Sequence, residues 1–313
     1  MMYSVRLLKK CLFLKMISVV IPTYKNHELL IANLTRNLPY LVGCEVIIVN
    51  DDPTLSIKSH LSEFADQIIL IENSKNLGFG GTVNRGITRA KRPYILLLNS
   101  DVILKDKSFS RAIAHFQKNN TLFAVGFAQT DGKKLFGKNR IYWERGILNH
   151  EKAHNTKHGI TAWAEGGACV IDKSKFLELG GFDRLFTPFY WEDIDISYRA
   201  WKGGYSVVFD ESIVVQHIHE TTIGRYFSKN KIKRIALRNQ FIFIWKNVTD
   251  RVLMRNHLLN IPKLLLGFII HVDVDSLVGF TRAVLKLPKI LRSKKQQREK
   301  YIKTDKEIFD LFI

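Results

Sequence analysis

Short runs of β-branched and aliphatic residues recur along the first hundred positions, separated by helical stretches and closed by polar residues. Ile17–Ile21 is such a run, closed by Pro22. Val46–Val49 ends in Asn50-Asp51-Asp52-Pro53, Gln67–Ile71 is a third run, and Tyr94–Leu98 ends in Asn99-Ser100-Asp101. Between them, Glu28–Asn37 reads as a helix stopped by Pro39, and Thr82–Ala90 as a helix after a glycine-rich turn. A short continuous apolar run suits a strand covered on both faces, and its alternation with helices predicts βα units on a parallel sheet. Ligands of such sheets bind beyond the carboxyl ends of the strands, which is where the polar residues gather here.

The pattern then changes. Asp131 to His158 has no clear period and is rich in Gly, Lys, Asn and His, so it reads as a mobile loop region beside the site. Thr161–Ile171 returns to a strand pattern, interrupted by Gly166-Gly167. A helix over Lys173–Leu179 stops at Gly180-Gly181, and a second begins near Glu192 and stops at Gly203-Gly204. In that second helix Trp191, Ile194, Tyr198 and Trp201 share one face, which is expected to be core. Tyr205–Phe209 and Ile213–Val215 read as two strands. Beyond Tyr226 the chain is helical, basic and amphipathic.

At 313 residues with 46% hydrophobic content, the chain can bury one large α/β domain and a smaller appendage. Its net charge of +19 calls for an anionic partner, and its distribution narrows the choice. From Arg225 onward there are 20 Lys and Arg against 7 Asp and Glu, so this last segment carries +13 of the total. Cys11, Cys44 and Cys169 have neither an even count nor zinc spacing, which favours a reducing cytoplasm. Residues 1–16 form a basic, apolar extension that Lys15 keeps too short for a signal peptide; translation from Met16 is the equal alternative. No run reaches the roughly 18–20 apolar residues of a membrane-spanning helix.

Asp101, directly after a strand, stands where a hard divalent cation is commonly held, although an aspartate there is also an ordinary turn residue. The surrounding sequence adds more. Tyr94–Val102 (YILLLNSDV) resembles the metal-binding strand end of family 2 glycosyltransferases, which have the GT-A fold. Ser18–Tyr24 (SVVIPTY), Val46–Pro53 (VIIVNDDP), Asn76–Gly86 (NLGFGGTVNRG) and Gly180–Gly204 (GGFDRLFTPFYWEDIDISYRAWKGG) are similar to further segments of that family, in order, so the resemblance covers about Ile17 to Glu220.

The resemblance implies a GT-A (Rossmann-like) catalytic domain over 17–224 that binds a nucleotide-sugar donor and Mn²⁺ or Mg²⁺, with a helical region over 225–313. It implies donor contacts at Pro22, Thr23, Tyr24, Asp51, Gly78, Asn84, Arg85 and Asn99. It places the metal on Asp101 and on a histidine best matched by His217, with His219 second. The catalytic base falls on Asp193, with Glu192 beside it raising its proton affinity by like-charge repulsion. Gly167 and Glu192 are secondary positions on the acceptor side. Asp195 and Arg199 are expected to form an exposed i,i+4 pair.

One position departs from the family pattern: many relatives carry Asp-x-Asp where this chain has Asn99-Ser100-Asp101. Asn-x-Asp resembles a branch that includes rhamnosyltransferases of bacterial surface polysaccharides, which points to dTDP-rhamnose or a UDP-sugar as donor. Relatives of this kind extend glycans on a polyprenyl-diphosphate lipid. The basic C-terminal helices then read as a contact with an anionic membrane surface, at its cytoplasmic face. A nucleic-acid-binding protein would explain the charge but neither the strand-end acids nor the glycine loop. A sugar nucleotidyltransferase would need a glycine- and arginine-rich loop where Pro22-Thr23-Tyr24 stands.

Overall fold

The computed structural model describes residues 12–132, 134–217 and 222–312. Most of the N-terminal extension and His219 therefore lie outside the described residues.

Seven consecutive buried residues make β1 (Ile17–Thr23) the centre of the sheet. It pairs in parallel with β2 (Glu45–Asn50), and β2 with β3 (Ile69–Glu72). On its other side it pairs in parallel with β4 (Tyr94–Leu98). Side chains along these strands alternate between two cores, as a period of two requires. Val20, Ile47, Val49, Ile95 and Leu97 face one side; Val19, Ile21, Ile48, Leu96 and Leu98 face the other. Helix α1 (His27–Leu41) covers the second face. Helix α2 (Gly78–Arg89) covers the first so closely that a Cβ at Gly86 would lie 2.5 Å from Val20. The sheet runs on through β5 (Val102–Leu104) and, beyond α3 (Ala112–Lys118), through β6 (Leu122–Thr130), giving a mixed α/β fold with a curled, mostly parallel sheet.

Four expectations need correction. Pro39 lies inside α1 rather than ending it: it forgoes one i→i−4 hydrogen bond, and the helix stops two residues later, at Leu41. The stretch expected to be a mobile loop holds β7 (Leu135–Phe136) and a hairpin of β8 (Asn139–Glu144) and β9 (Ile147–Lys152). Its strands alternate only weakly, and Ile141 and Leu148 are the residues that anchor it in the core. Of the strand expected over Thr161–Ile171, only the part after Gly166-Gly167 forms, as β11 (Ala168–Asp172), which runs antiparallel between β4 and β6; the short β10 (Gly159–Ile160) lies before it. The two strands expected after it are one, β12 (Ser206–His217), with an irregularity between Asp210 and Val214 where the register against β6 shifts.

After α4 (Lys173–Glu178) comes α5 (Glu192–Lys202), which is not amphipathic in place. Its apolar face is core as expected, but its charged face is buried too. Asp195 and Arg199 are 0% and 1% exposed, so the expected surface pair is an interior ion pair. Arg199 also donates to the carbonyls of Leu179 and Gly181, at 2.5 and 2.7 Å. Asp195 accepts from Lys246 at 2.6 Å and from Asn247 at 2.8 Å.

Lys246 and Asn247 belong to α7 (Lys229–Asn247), which follows the short α6 (Thr222–Tyr226) and buries Phe241, Ile242, Phe243 and Ile244 in the core shared with the sheet. Then come α8 (Arg251–Ile270), α9 (Val274–Val284), α10 (Leu287–Arg298) and α11 (Asp305–Phe309). Asp305, fully buried, receives hydrogen bonds from Lys202 and Tyr198 of α5. Residues on both sides of position 224 thus contribute to one core.

Candidate active site

The turn after β4 is fixed from beneath by two buried asparagines of α1. Asn33 donates to the Ser100 carbonyl, and Asn37 bridges the carbonyl of Val102 and the N–H of Leu104, each bond 2.8–2.9 Å long. The turn so held presents Asn99 Oδ1 and Asp101 Oδ1, both buried and both without a hydrogen bond. Nε2 of His217, at the end of β12, lies 3.3 Å from that Asp101 oxygen. Leaving two buried oxygens unmatched costs free energy unless something fills the place. Two oxygens and an imidazole nitrogen are a donor set that suits Mn²⁺ or Mg²⁺. The residues present fit a divalent cation.

These residues line one end of a cavity of about 290 Å³ at the carboxyl ends of β1, β2 and β4. Pro22, Thr23, Tyr24 and Asp51 form its floor, Gly78, Phe79 and Thr82 its helical wall, and Pro188, Phe189 and Tyr190 the wall opposite. The Thr23 hydroxyl is a further buried polar atom without a partner. Asp51 lines the cavity and also holds its shape, accepting from Asn73 and from the N–H groups of Leu77 and Gly78 at 2.8–2.9 Å. Asn50 does not face the cavity; its side chain accepts from Asp52 N–H and donates to the Leu55 carbonyl. Gly78 has φ +72°, and a Cβ there would lie 2.8 Å from the Pro188 carbonyl, so no other residue fits without displacing that wall.

Asn84 and Arg85 stand apart from this cavity. The Asn84 carboxamide exchanges two hydrogen bonds with the backbone of Phe182, and Arg85 donates to the Glu72 carbonyl and to Asn73. One turn along the helix, they point to its flanks. The residues of this helix that line the cavity beside Gly78 are Phe79 and Thr82, three residues apart on the face that is turned to it.

Asp193 lies just beyond the cavity, behind Gly166. Its Oδ2 is 3.4 Å from Gly166 N, and its Oδ1 accepts from its neighbour Ile194 N–H at 2.8 Å. Burial pushes its carboxyl up, while those N–H donors and the Lys152 charge pull it part of the way back. Glu192 is driven well above the carboxylate range, first by burial and then by the Asp193 charge, which favours its neutral acid. The expected like-charge repulsion thus acts on Glu192, whereas what raises Asp193 is burial. Gly167 closes the gap between the two groups, its carbonyl accepting from Asn99 N–H at 2.9 Å. A Cβ on it would lie 3.1 Å from the Asn99 amide nitrogen.

Several site residues carry no signal that the sequence reading used. Asn239 of α7 reaches the carbonyls of Phe186, Phe189 and Tyr190 at 2.8–3.0 Å, and so fixes the wall opposite α2. Tyr190 and Trp191 both have positive φ, a strained approach to α5 that such a clamp holds in place. Gln129 and Glu165 lie behind His217. An asparagine inside a basic helix was the only available hint for the first, and an acid directly before Gly166-Gly167 for the last.

An α/β sheet with a cation-ready turn after its fourth strand and a cavity across its strand ends is the GT-A arrangement. By sequence the chain belongs to the family described as Glycosyl transferase family 2, matched over residues 18–180, a little more than half of its length. It is 25% identical to the O-antigen chain rhamnosyltransferase RfbN of Salmonella typhimurium, over 68% of this chain and 69% of that protein. It is 23% identical to the poly(ribitol-phosphate) β-N-acetylglucosaminyltransferase TarP of Staphylococcus aureus, over 76% of each. Other relatives are longer. The match covers 36% of N-acetylgalactosaminyltransferase 7 of Drosophila melanogaster and 45% of a pre-mycofactocin glycosyltransferase of Mycobacterium tuberculosis. Among solved structures, GalNAc-T7 with UDP, GalNAc and Mn²⁺ superposes with a TM-score of 0.59 at 17% identity, over 74% of this chain and 47% of that one. The mannosyltransferase PcManGT of Pyrobaculum calidifontis, with GDP-Man and Mn²⁺, gives 0.55 at 14% identity, over 91% and 84%.

Proposed function

We propose that this chain is an inverting glycosyltransferase that moves a sugar from a nucleotide-diphosphate donor to a hydroxyl of a lipid-linked glycan. One observation carries the reading: the unmatched oxygens of Asn99 and Asp101, with His217, meet at a strand-end cavity, and the half-buried Asp193 carboxylate stands one glycine away. Pro22, Thr23, Tyr24 and Asp51 hold the nucleoside end, and the α2 N-terminus favours the diphosphate. Asn99, Asp101 and His217 hold a divalent cation, Mn²⁺ or Mg²⁺, whose charge offsets that developing on the leaving diphosphate. Asp193 takes the proton of the acceptor hydroxyl as its oxygen bonds to the anomeric carbon, and the sugar–phosphate bond breaks on the opposite side. Burial suits Asp193 to this task by raising its basicity, whereas Glu192 holds its own proton too firmly to compete.

The donor is proposed to be dTDP-rhamnose or a UDP-sugar. The Asn99 pattern and the similarity to an O-antigen rhamnosyltransferase support the first. The acceptor is proposed to be a polyprenyl-diphosphate glycan of surface polysaccharide synthesis, met at the cytoplasmic face of an anionic membrane. Among the described residues no helix is long and apolar enough to cross a membrane. Helix α8 supports a surface contact instead: it contains no acidic residue and exposes Leu258, Leu259, Leu266, Ile269 and Ile270 beside Arg255 and Lys263. Lys294 and Lys300 of the basic cluster, by contrast, are engaged with the carbonyls of Val248 and Glu178.

Assay with a panel of nucleotide sugars tests the reading. Asp193→Asn is expected to lose on the order of 10²–10⁴-fold in turnover with donor affinity kept. Chelation is expected to abolish transfer, Mn²⁺ or Mg²⁺ to restore it, and Asn99→Asp to retain or tighten metal binding. Full turnover after exhaustive chelation would refute the metal centre, and wild-type turnover of Asp193→Asn would refute the base.

A further inference from the structure

A histidine binds a cation through a nitrogen that carries a lone pair, which requires the proton to sit on the other one. For His217 the nitrogen beside Asp101 is Nε2, so the question is what holds a proton on Nδ1. Nδ1 lies 2.6 Å from Oε1 of Gln129. The Gln129 side chain, almost wholly buried, places its Nε2 2.6 Å from Oε2 of Glu165. The other Glu165 oxygen is ion-paired with Lys152.

The chemistry of these partners sets the direction of every proton. A carboxylate paired with an ammonium group only accepts, so the Gln129 atom facing Glu165 must be the NH₂. The amide oxygen then faces His217. That oxygen also only accepts, so His217 Nδ1 must be the donor, which makes Nε2, beside Asp101, the nitrogen that can offer a lone pair to a cation.

We propose that Gln129, oriented by the Glu165–Lys152 pair, is a positioning residue of the metal centre that locks His217 as its Nδ1–H tautomer. The proposal rests on the metal reading above and adds to it a group that touches neither metal nor substrate. Glu165 also begins the three-residue strap that continues through Gly166, beside Asp193, and Gly167, bonded to Asn99. One short segment thereby sets the ligand tautomer, the base and the metal turn together.

Two measurements test it. Long-range ¹H–¹⁵N spectra of metal-free protein at neutral pH should show His217 protonated at Nδ1; a neutral ring protonated at Nε2 alone would overturn the proposal. Mn²⁺ titration by electron paramagnetic resonance, with a nucleoside diphosphate present, should show Gln129→Leu weakened by about 10–100-fold, the usual size for loss of an outer-shell partner. The double change Gln129→Glu with Glu165→Gln reverses the two groups but keeps every donor facing an acceptor: the carboxylate at 129 still accepts from Nδ1–H, and the amide at 165 still accepts from Lys152. It should restore the Nδ1–H spectrum and most of the Mn²⁺ affinity, which a merely packing role for Gln129 does not predict. Unchanged affinity in Gln129→Leu, or no rescue by a folded double variant, would overturn the proposal. Failure of the wild type to bind Mn²⁺ would overturn the metal reading beneath it, whereas the tautomer is read without metal.

Discussion

Helices α5 and α8 invert the usual distribution of side chains in opposite ways. Helix α5 carries its charges inside: Asp195, Arg199 and Lys202 are all essentially inaccessible. Helix α8 carries much of its apolar surface outside, with Leu259 65% and Ile270 64% exposed. The first inversion is compensated within the chain, because Lys246, Asn247 and Asp305 come from distant segments to match each buried charge. The second is not compensated by anything in the described residues. A helix whose unusual groups all have partners is a device for holding something still, and here it holds the segment bearing Asp193. A helix whose unusual groups face outward is shaped for something the chain itself does not supply.

The contrast can be broken at its strong end first. Asp195→Ala leaves Arg199 buried without its carboxylate and is expected to destabilise the fold by about 3–5 kcal/mol. Chemical denaturation would measure this, and a loss below about 1 kcal/mol would mean that the interior pair is dispensable. A smaller loss is expected at Asp305. Burial alone would raise its carboxyl, but the Lys202 charge and the hydrogen bonds from Lys202, Tyr198 and Asp250 N–H outweigh that and hold it low. A carboxyl lower in the folded than in the unfolded chain contributes stability above its unfolded value, near 4, and loses it as pH falls through its folded value. Asp305→Asn should therefore flatten the decline of stability below about pH 4 and cost on the order of 1–3 kcal/mol at neutral pH. Melting curves across pH would check both parts.

The smallest effect on folding is expected at the other helix. Leu266→Glu with Ile270→Glu should change stability by no more than about 0.5 kcal/mol. Wild-type protein should sediment with anionic vesicles at low salt and be released at high salt, and the double variant should stay in solution. Strong destabilisation by these substitutions would show that the face is packed in solution. Vesicle binding left unchanged would remove α8 from the membrane reading.

How much was legible in the sequence follows from the same contrast. Strands β1, β2 and β4 could be read because they are buried on both faces, which leaves a continuous apolar signature. Asn99 and Asp101 could be named because they follow β4 directly, and His217 because it ends β12. The interior of α5 could not: Asp195 and Arg199, four residues apart, look the same whether they face water or Lys246, and only distant residues decide. Nor does the sequence show which side of α2 faces the cavity: Asn84 and Arg85 point to its flanks, since a helix turns each residue by about 100°. The hairpin of β8 and β9 was missed because so few of its side chains enter the core.

The Asn239 clamp has a practical consequence for anyone who wishes to recombine this enzyme with its relatives. One carboxamide from α7 grips three carbonyls of the cavity wall, so a graft that stops near residue 224, where the family resemblance fades, would transplant a binding site without the part that fastens it. An exchangeable module of this chain has to run past Asn247, and the buried Asp305 argues for carrying it to residue 312. Chimeras cut at the earlier point should lose donor affinity along with stability, even when every residue lining the cavity comes from the same parent.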